Sequence, residues 1–207
     1  MNFRLILAIL GGYLIGSIPW ALIIGKTFYG KDIRQFGSGN LGGTNAARYL
    51  SKPVGIAIMV LDALKAFIYM WLLSYIDKSL LPYAGLAVCI GHCFSVFAGF
   101  KGGKAVACSC GYVLAINVFL ENQIILAFIV PMLVFVTVML ATKYMALASM
   151  SGLVSAAIMG FVSYHNKTYA LLISLLALFV IYMHRSNIKR LINHQESKLF
   201  QDKKNKQ

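Results

Sequence analysis

Charge is what this sequence has least of. Of its 207 residues 12% are charged, and only six are Asp or Glu. A water-soluble domain carries about 25% charged residues, so this chain lacks the polar surface needed to cover a soluble globule. Four prolines and four cysteines are too few for a collagen-like or disulfide-stapled secreted fold. The cysteines, Cys89, Cys93, Cys108 and Cys110, stand in apolar runs and read as reduced and buried, with no pairing implied. Low-complexity tracts and internal repeats are also missing, which excludes disordered and solenoid architectures. What is abundant is apolar: 59% of the residues, with a mean hydropathy of +0.76. That is the composition of an integral membrane protein.

A helix crosses the apolar core of a bilayer in about 20 residues. Seven apolar stretches approach that length: 3–25, 54–75, 80–99, 105–120, 124–142, 144–164 and 168–183. The expected fold class is all-α, a polytopic membrane protein of seven transmembrane helices. The first run is long for a signal peptide, has no small-residue cleavage site and is followed directly by Lys26, so it reads as a span. Basic residues set the orientation. Lys26, Lys31, Arg34, Arg48, Lys52, Lys101, Lys104 and Lys143 share one side with seven Lys and Arg of the tail. Arg4, Lys78 and Lys167 fall on the other. The positive-inside rule then places the N-terminus outside and the C-terminus in the cytosol. The simplest organisation is one membrane domain, 1–207, with cytosolic loops 26–53 and 100–105 and a basic cytosolic tail, 184–207. The net charge of +13 belongs to this asymmetry. Residues 195–207 read as an anchor on anionic membrane lipid, worth about 1 kcal/mol per basic residue near the surface. The tail lacks interleaved aromatics, so no nucleic-acid partner is expected.

Three cytosolic segments carry more polar chemistry than an anchor needs. In the first, Phe36 to Asn45, Gly37, Gly39, Gly42 and Gly43 alternate with Ser38, Asn40, Thr44 and Asn45, and Arg48 follows. Four glycines in seven residues make a poor helix and a poor strand. Such backbone reaches positive φ and exposes amides that suit an anion. The second, Gly99-Phe100-Lys101-Gly102-Gly103-Lys104, opens the short fourth span. It is a phosphate cradle in kind, although the Walker spacing is absent. The third, His184-Arg185-Ser186-Asn187, leaves the last span with His184 and Asn187 on one helical face. Each segment has a plainer reading, as a polar connector, a pair of snorkelling lysines and an ordinary helix exit. Within the spans, Asp62 and Lys65 stand i, i+3 and can pair, while His92 precedes the second loop. Cys89, His92 and Cys93 share a helical face, but no second cluster completes a metal site, so no metal and no cofactor is expected.

Together these segments resemble the membrane-embedded, acyl-phosphate-dependent glycerol-3-phosphate acyltransferases, the PlsY family. The resemblance runs from Gly16-Ser17-Ile18-Pro19 to the tail. It rests on Ser38 to Asn45 with Arg48, on Gly91-His92 through Lys104, on Tyr144 to Ser149, and on His184 to Leu191. It implies seven helices around a cytosol-facing cleft, in a multi-pass protein of the bacterial inner (cytoplasmic) membrane. The implied reaction moves a fatty acyl group from acyl phosphate to the sn-1 hydroxyl of glycerol 3-phosphate, giving lysophosphatidate and phosphate for phospholipid synthesis. Arg48 and Lys104 would hold phosphate. Ser38, His184 and Asn187 would orient glycerol 3-phosphate. Gly102, Gly103 and the amides around Gly39 and Asn40 would cradle the acyl-phosphate head, with Thr44, Asn45, His92 and Ser149 also at the substrates. Two anionic substrates repel unless cations and amides neutralise them, so the bottom-up reading fits this chemistry. The hydroxyl proton would pass to a substrate phosphate oxygen, with His92 or His184 as the competing general base.

The chain departs from the family pattern at Leu41, Gly43, Ser95, Ala105, Cys108 and Ala146. Ala146 removes a hydroxyl, and Ala105 restricts positive φ at the phosphate turn. A weakly active regulatory paralogue is therefore one alternative, and a small anion transporter another. Against the transporter, glycines and cations cluster on one face, whereas a permeation route needs polar groups along its length. Acyltransferases built on His-x4-Asp are excluded, because no Asp stands five residues after His92, His165, His184 or His194.

Overall fold

The computed structural model describes residues 3–199; residues 1–2 and 200–207, with Lys203, Lys204 and Lys206 of the basic tail, lie outside the described residues. The chain forms two compact units, Met1–Asn122 and Gln123–Gln207. Both are built from helices.

The first unit holds α1 (Phe3–Gly16), α2 (Trp20–Tyr29), α3 (Gly43–Tyr49), α4 (Lys52–Ser74), α5 (Leu81–Cys93) and α6 (Val106–Ile116). The expected first span is interrupted at Ser17–Pro19, where Pro19 can offer no amide hydrogen and α2 starts afresh behind it. Backbones approach closely along glycine seams. Gly12 and Gly16 of α1 lie against the Ala84 and Val88 carbonyls of α5, and Gly91 of α5 lies against the Tyr13 carbonyl. Gly111 does the same for α6 on Ala63 of α4. Small residues at such crossings are how helices associate where lipid removes the hydrophobic drive. Polar side chains then tie the seams: Tyr69 donates to the Ala8 carbonyl at 2.8 Å, and Ser95 donates to the Ser17 carbonyl.

The second unit holds α7 (Val130–Thr142), α8 (Met145–Ser163), α9 (Lys167–Met183) and α10 (Arg185–Ile192), with α8 packed on both α7 and α9. Short π-helical turns at Asn117–Glu121 and Ile125–Ile129 lie either side of the boundary between the units. Among the described residues, five helical stretches are long and apolar enough to cross a membrane: Phe3–Tyr29, Lys52–Ser74, Lys78–Ala98, Ile125–Thr142 and Met145–Ser163. A sixth appears if α9 and α10, bent by 59° at their junction, count as one, and Val106–Glu121 is apolar but shorter. The protein is thus an all-helical membrane protein with five to six candidate spans. Apolar side chains such as Leu72, Val162 and Leu178 are exposed along these helices, as a lipid-facing surface requires.

Loop 26–53 holds more helix than its glycines predict. The α2 helix continues to Tyr29 and ends on Gly30 in the left-handed conformation. Gly43, Thr44 and Asn45, read from sequence as irregular, begin α3. The physical reason is packing. Gly43 and Ala47 fit against Gly55 of α4 at a separation that leaves no room for a larger residue. Ile33, Leu41, Ala46, Ile58 and Ala98 form a small apolar core with Ala21 and Leu22. That core fastens both ends of the first glycine-rich turn and the start of the second loop, and so positions the site.

Candidate active site

The first motif is a tightly braced turn. Asp32 caps the 3-10 turn Ile33–Gln35, accepting from the Arg34 amide at 3.1 Å. Its two oxygens also take Arg34 Nε at 2.9 Å and Nη2 at 2.6 Å, a bidentate clamp. Lys26 adds a second cationic neighbour at 3.5 Å. The Arg34 hydrogen bonds, foremost, hold the Asp32 carboxyl well below the usual carboxylate range. Arg34 Nη1 reaches the Ala98 carbonyl at 3.5 Å, which links this turn to the second loop. Gly37 and Gly39 take positive φ, +60° and +67°. Only glycine adopts these cheaply.

Asn45 serves the turn directly. Its amide nitrogen donates to the Ile33 and Phe36 carbonyls, and its oxygen accepts from the Ser38 amide at 3.3 Å. Asn40 accepts from the Gly42 amide at 2.9 Å, and the Ser38 hydroxyl accepts from the Asn40 amide at 3.4 Å. Ser38 itself is exposed, so the hydroxyl faces outward from a fixed backbone.

The second loop rests on His92. The Gly103 amide donates to the His92 carbonyl at 3.0 Å. A Cβ on Gly103 would overlap the His92 ring, and one on Gly102 would overlap the His92 carbonyl, so both positions require glycine. The Gly102 carbonyl accepts from the Leu41 amide at 3.3 Å, joining the two motifs. Ala105, expected to restrict positive φ, in fact adopts φ +59° at the start of α6, directly after Lys104.

An open cleft of about 560 Å³ forms where these loops meet, lined by Asp32, Arg34, Gln35, Ser38, Gly39, Asn40, Lys101 and Gly102. The structure therefore brings together four of the expected residues, Ser38, Gly39, Asn40 and Gly102. The cations lining the cleft are Arg34, which sequence reasoning counted only toward orientation, and Lys101, which it placed in the second motif without a role of its own. Arg48 stands on the last turn of α3 and Lys104 at the entrance to α6, outside that lining. Thr44 lies on the first turn of α3.

Beneath the second loop, Asp62, Lys65 and His92 are buried together. The expected pair is formed, with Lys65 Nζ 2.7 Å from Asp62. His92 Nδ1 lies 3.0 Å from Lys65 Nζ and 3.3 Å from Asp62. Asp62, His92 and Cys108 place a carboxylate, an imidazole and a thiol within 4.8 Å of one another, a grouping with metal-ligand chemistry. The Lys65 ammonium already supplies the cation next to two of these three groups. All four cysteines are free.

In the second unit, His184 and Asn187 are buried at the bend between α9 and α10. His184 Nδ1 lies 2.8 Å from the Val180 carbonyl. A carbonyl only accepts, so this contact puts the proton on Nδ1 and leaves Nε2 as the acceptor in the neutral ring. Asn187 donates to Glu196 at 2.7 Å, and Arg190 Nε meets the other Glu196 oxygen at 2.7 Å. Sequence reasoning missed Glu196; its one signal was being one of two acids in a basic tail. The Ser149 hydroxyl donates to the Met145 carbonyl at 2.7 Å.

Residues 6–194 match the protein family described as glycerol-3-phosphate acyltransferase. A glycerol-3-phosphate acyltransferase of Bacillus cereus (strain G9842) is 43% identical over 195 residues, 94% of each chain. One from Listeria monocytogenes serovar 1/2a is 41% identical over 203 residues, 96% of this chain and 98% of the relative. Among solved structures, PlsY (YgiH), an integral membrane glycerol 3-phosphate acyltransferase in its glycerol 3-phosphate form, superposes with a TM-score of 0.86. That similarity is 33% in sequence and covers 96% of this chain and all of the other. The lysophosphatidic acid form of PlsY superposes at 0.83 with 32% identity, covering 94% and 95% of the two chains.

Proposed function

The chain belongs to the glycerol-3-phosphate acyltransferase family, and from that premise we propose a donor, a site and a sidedness for its reaction. It is an acyltransferase, and the transporter alternative gives way to the enzyme. The acceptor is glycerol 3-phosphate and the product lysophosphatidate, the two molecules found in the forms of the solved relative.

The donor is acyl phosphate. The observation that carries this is the cleft in which Ser38, Gly39 and Asn40 meet Gly102 beside Arg34 and Lys101. A thioester donor brings no phosphate to its acyl carbon. An acyl phosphate does, and it needs cations and amides at that point. In the reaction the sn-1 hydroxyl oxygen attacks the acyl carbonyl carbon. The bond from that carbon to the phosphate oxygen breaks, inorganic phosphate leaves, and the hydroxyl proton passes to a phosphate oxygen. A neutralised phosphate leaves readily, so no covalent enzyme intermediate is required.

In the first unit, Arg48 and Lys104 hold phosphate, joined by Arg34 and Lys101 in the cleft. Gly102, Gly103 and the Gly39–Asn40 amides cradle the donor head, and Ser38 orients the acceptor, with Thr44 beside it. Asn45 shapes the turn that presents Ser38. The burial of His92 against Lys65 and Gly103 supports the phosphate, rather than this imidazole, as proton acceptor. In the second unit, His184, Asn187 and Ser149 are candidate substrate contacts, each to be tested by its own alanine substitution.

Charge supports seven spans, with Val106–Glu121 as the short one, the N-terminus outside, and a cytosol-facing site in the bacterial inner membrane. The test uses the purified protein in lipid vesicles, with acyl phosphate supplied with and without glycerol 3-phosphate. Phosphate release that depends on the acceptor is expected, and it should fall at least a hundredfold in Ser38→Ala, the range for losing a contact made at the reacting group. Turnover with acyl-CoA or an acyl-carrier thioester in place of acyl phosphate would reject the donor assignment.

A further inference from the structure

A buried Lys–Asp pair is poor evidence for stability, because the desolvation of two charges offsets most of their attraction. Inside a membrane span the cost of each charge is higher still. Asp62 and Lys65 stand in the middle of α4 and are both buried. Their retention calls for a second reason, and the bonds of Lys65 supply one.

An ammonium has three donors and no acceptor. Three acceptors from three elements surround Lys65 Nζ: Asp62 at 2.7 Å, the Ile18 carbonyl at 3.1 Å, and His92 Nδ1 at 3.0 Å. An ammonium can only donate, so in this contact Nδ1 accepts; the same nitrogen lies 3.3 Å from Asp62, and the Lys65–Asp62 pair thus holds the His92 ring in place. His92 in turn carries the second loop. Its carbonyl holds the Gly103 amide at 3.0 Å, and its ring fills the space directly under Gly103. The Gly102 carbonyl then holds the Leu41 amide of the first motif at 3.3 Å. The line from α4 to the cleft is a set of three named hydrogen bonds, and none of its buried members lines the cleft.

We propose that Lys65 is a positioning residue: through His92 it holds the Gly102–Gly103 turn in the shape that receives the donor phosphate. Lys65 touches neither substrate. The inference rests on the reading of that turn as the acyl-phosphate cradle, and its test separates the two. Asp62 is the counter-charge that lets Lys65 stay buried, and the Ile18 carbonyl sets its height at the break between α1 and α2.

Lys65→Met leaves Asp62 uncompensated and risks misfolding, so the double variant Asp62→Asn with Lys65→Met is made beside it. His92→Gln, which spares the ion pair, forms a third arm. Full-length proteins in lipid vesicles are compared by hydrogen exchange and by initial rates. Exchange across 99–104 should quicken at least tenfold relative to α1 and α5, with KM for acyl phosphate raised at least tenfold and kcat within threefold. Unchanged exchange at that turn in both the double variant and His92→Gln overturns the proposal. So does a uniform quickening of all helices in which kcat falls and KM stays put, since that is what a merely structural pair would give. A quickened turn with KM raised for glycerol 3-phosphate instead supports the positioning role and moves the failure to the donor assignment. If the unaltered protein does not turn over acyl phosphate, the exchange arm alone decides.

Discussion

Ala105 occupies a backbone conformation that its side chain opposes. Its φ of +59° lies in the left-handed region, where a Cβ meets the following carbonyl. Glycine there removes that strain at the loss of one small buried methyl, so Ala105→Gly should gain up to about 1 kcal/mol. A thermal midpoint lowered by this change would show that the methyl contact outweighs the strain. Asp32 makes a pH argument. Its carboxyl is held below the usual range by Arg34, so the clamp is complete above about pH 4, the ordinary carboxylate value. It is lost only as pH falls through the lowered value. Rate profiles between pH 5 and 8 should then carry no inflection from Asp32. Asp32→Asn imposes the uncharged state at every pH and frees Arg34 from one side of the cleft. It should raise KM for acyl phosphate about fivefold, the scale of one charge-assisted contact, while the melting midpoint moves little, because Asn keeps the cap on the Arg34 amide and a solvent-reached pair contributes about 1 kcal/mol or less. An unaltered KM would place Arg34 outside donor binding. At this scale the sequence displayed its glycines, Ser38 and Asn40 plainly, since such residues have few other uses in an interfacial loop. It concealed Arg34 and gave Lys101 no role of its own, because a cation near the membrane looks the same whether it orients the chain or binds phosphate. Asn45 was visible as a residue but not as a brace, because its partners Ile33 and Phe36 are set only by the folded turn.

Five of the expected spans were legible, since apolar length alone defines them; Val106–Glu121 is shorter, and α9 reaches spanning length only together with α10. The reading 54–75 became α4 at Lys52–Ser74, and 144–164 became α8 at Met145–Ser163. Two elements escaped. The break at Pro19 was hidden because hydropathy stays high on both sides of it, and α3 was hidden because its first residue is a glycine. The α3 helix exists for tertiary reasons: Gly43 and Ala47 sit directly on Gly55, and Ala46 is buried in the apolar core below. Propensity yields to such packing. This makes Gly55 a sensitive point for a cleft it does not line. Gly55→Leu should lift α3 from α4, cost about 1–3 kcal/mol through overpacking, and disorder the Asn45 brace that presents Ser38. The expected signature is a lower midpoint together with faster proteolysis within 33–50. Retained loop protection in a stable Gly55→Leu protein would mean that the brace stands independently of α3.

For the molecule as a whole, the decisive quantity is the distribution of its 19 Lys and Arg, because it fixes which face meets the cytosol. Both cleft cations, Arg34 and Lys101, come from segments that the charge count assigns inside, and the counter-example on the same unit is Lys78, assigned outside. The Lys78 turn is capped by Asp77, which accepts from the Ser79 amide and hydroxyl. An acid at the start of a turn on a sparsely charged loop is consistent with the outer side, where acids carry little topological weight. The four native cysteines are free, and Cys89, Cys93 and Cys108 are buried, so replacing them by Ala or Ser gives a background for labelling. In that background Lys52→Cys, Lys101→Cys and Lys78→Cys are treated in intact cells with a thiol reagent that cannot cross the membrane. Lys78→Cys should label directly, and the other two only after the cells are opened. Such a pattern puts the donor cleft where a cytosolic phosphate ester can reach it while an acyl chain stays in the bilayer. Labelling of Lys52→Cys and Lys101→Cys from opposite sides would separate the two loops that the Leu41–Gly102 hydrogen bond joins, and the cleft could not exist in the membrane-embedded protein.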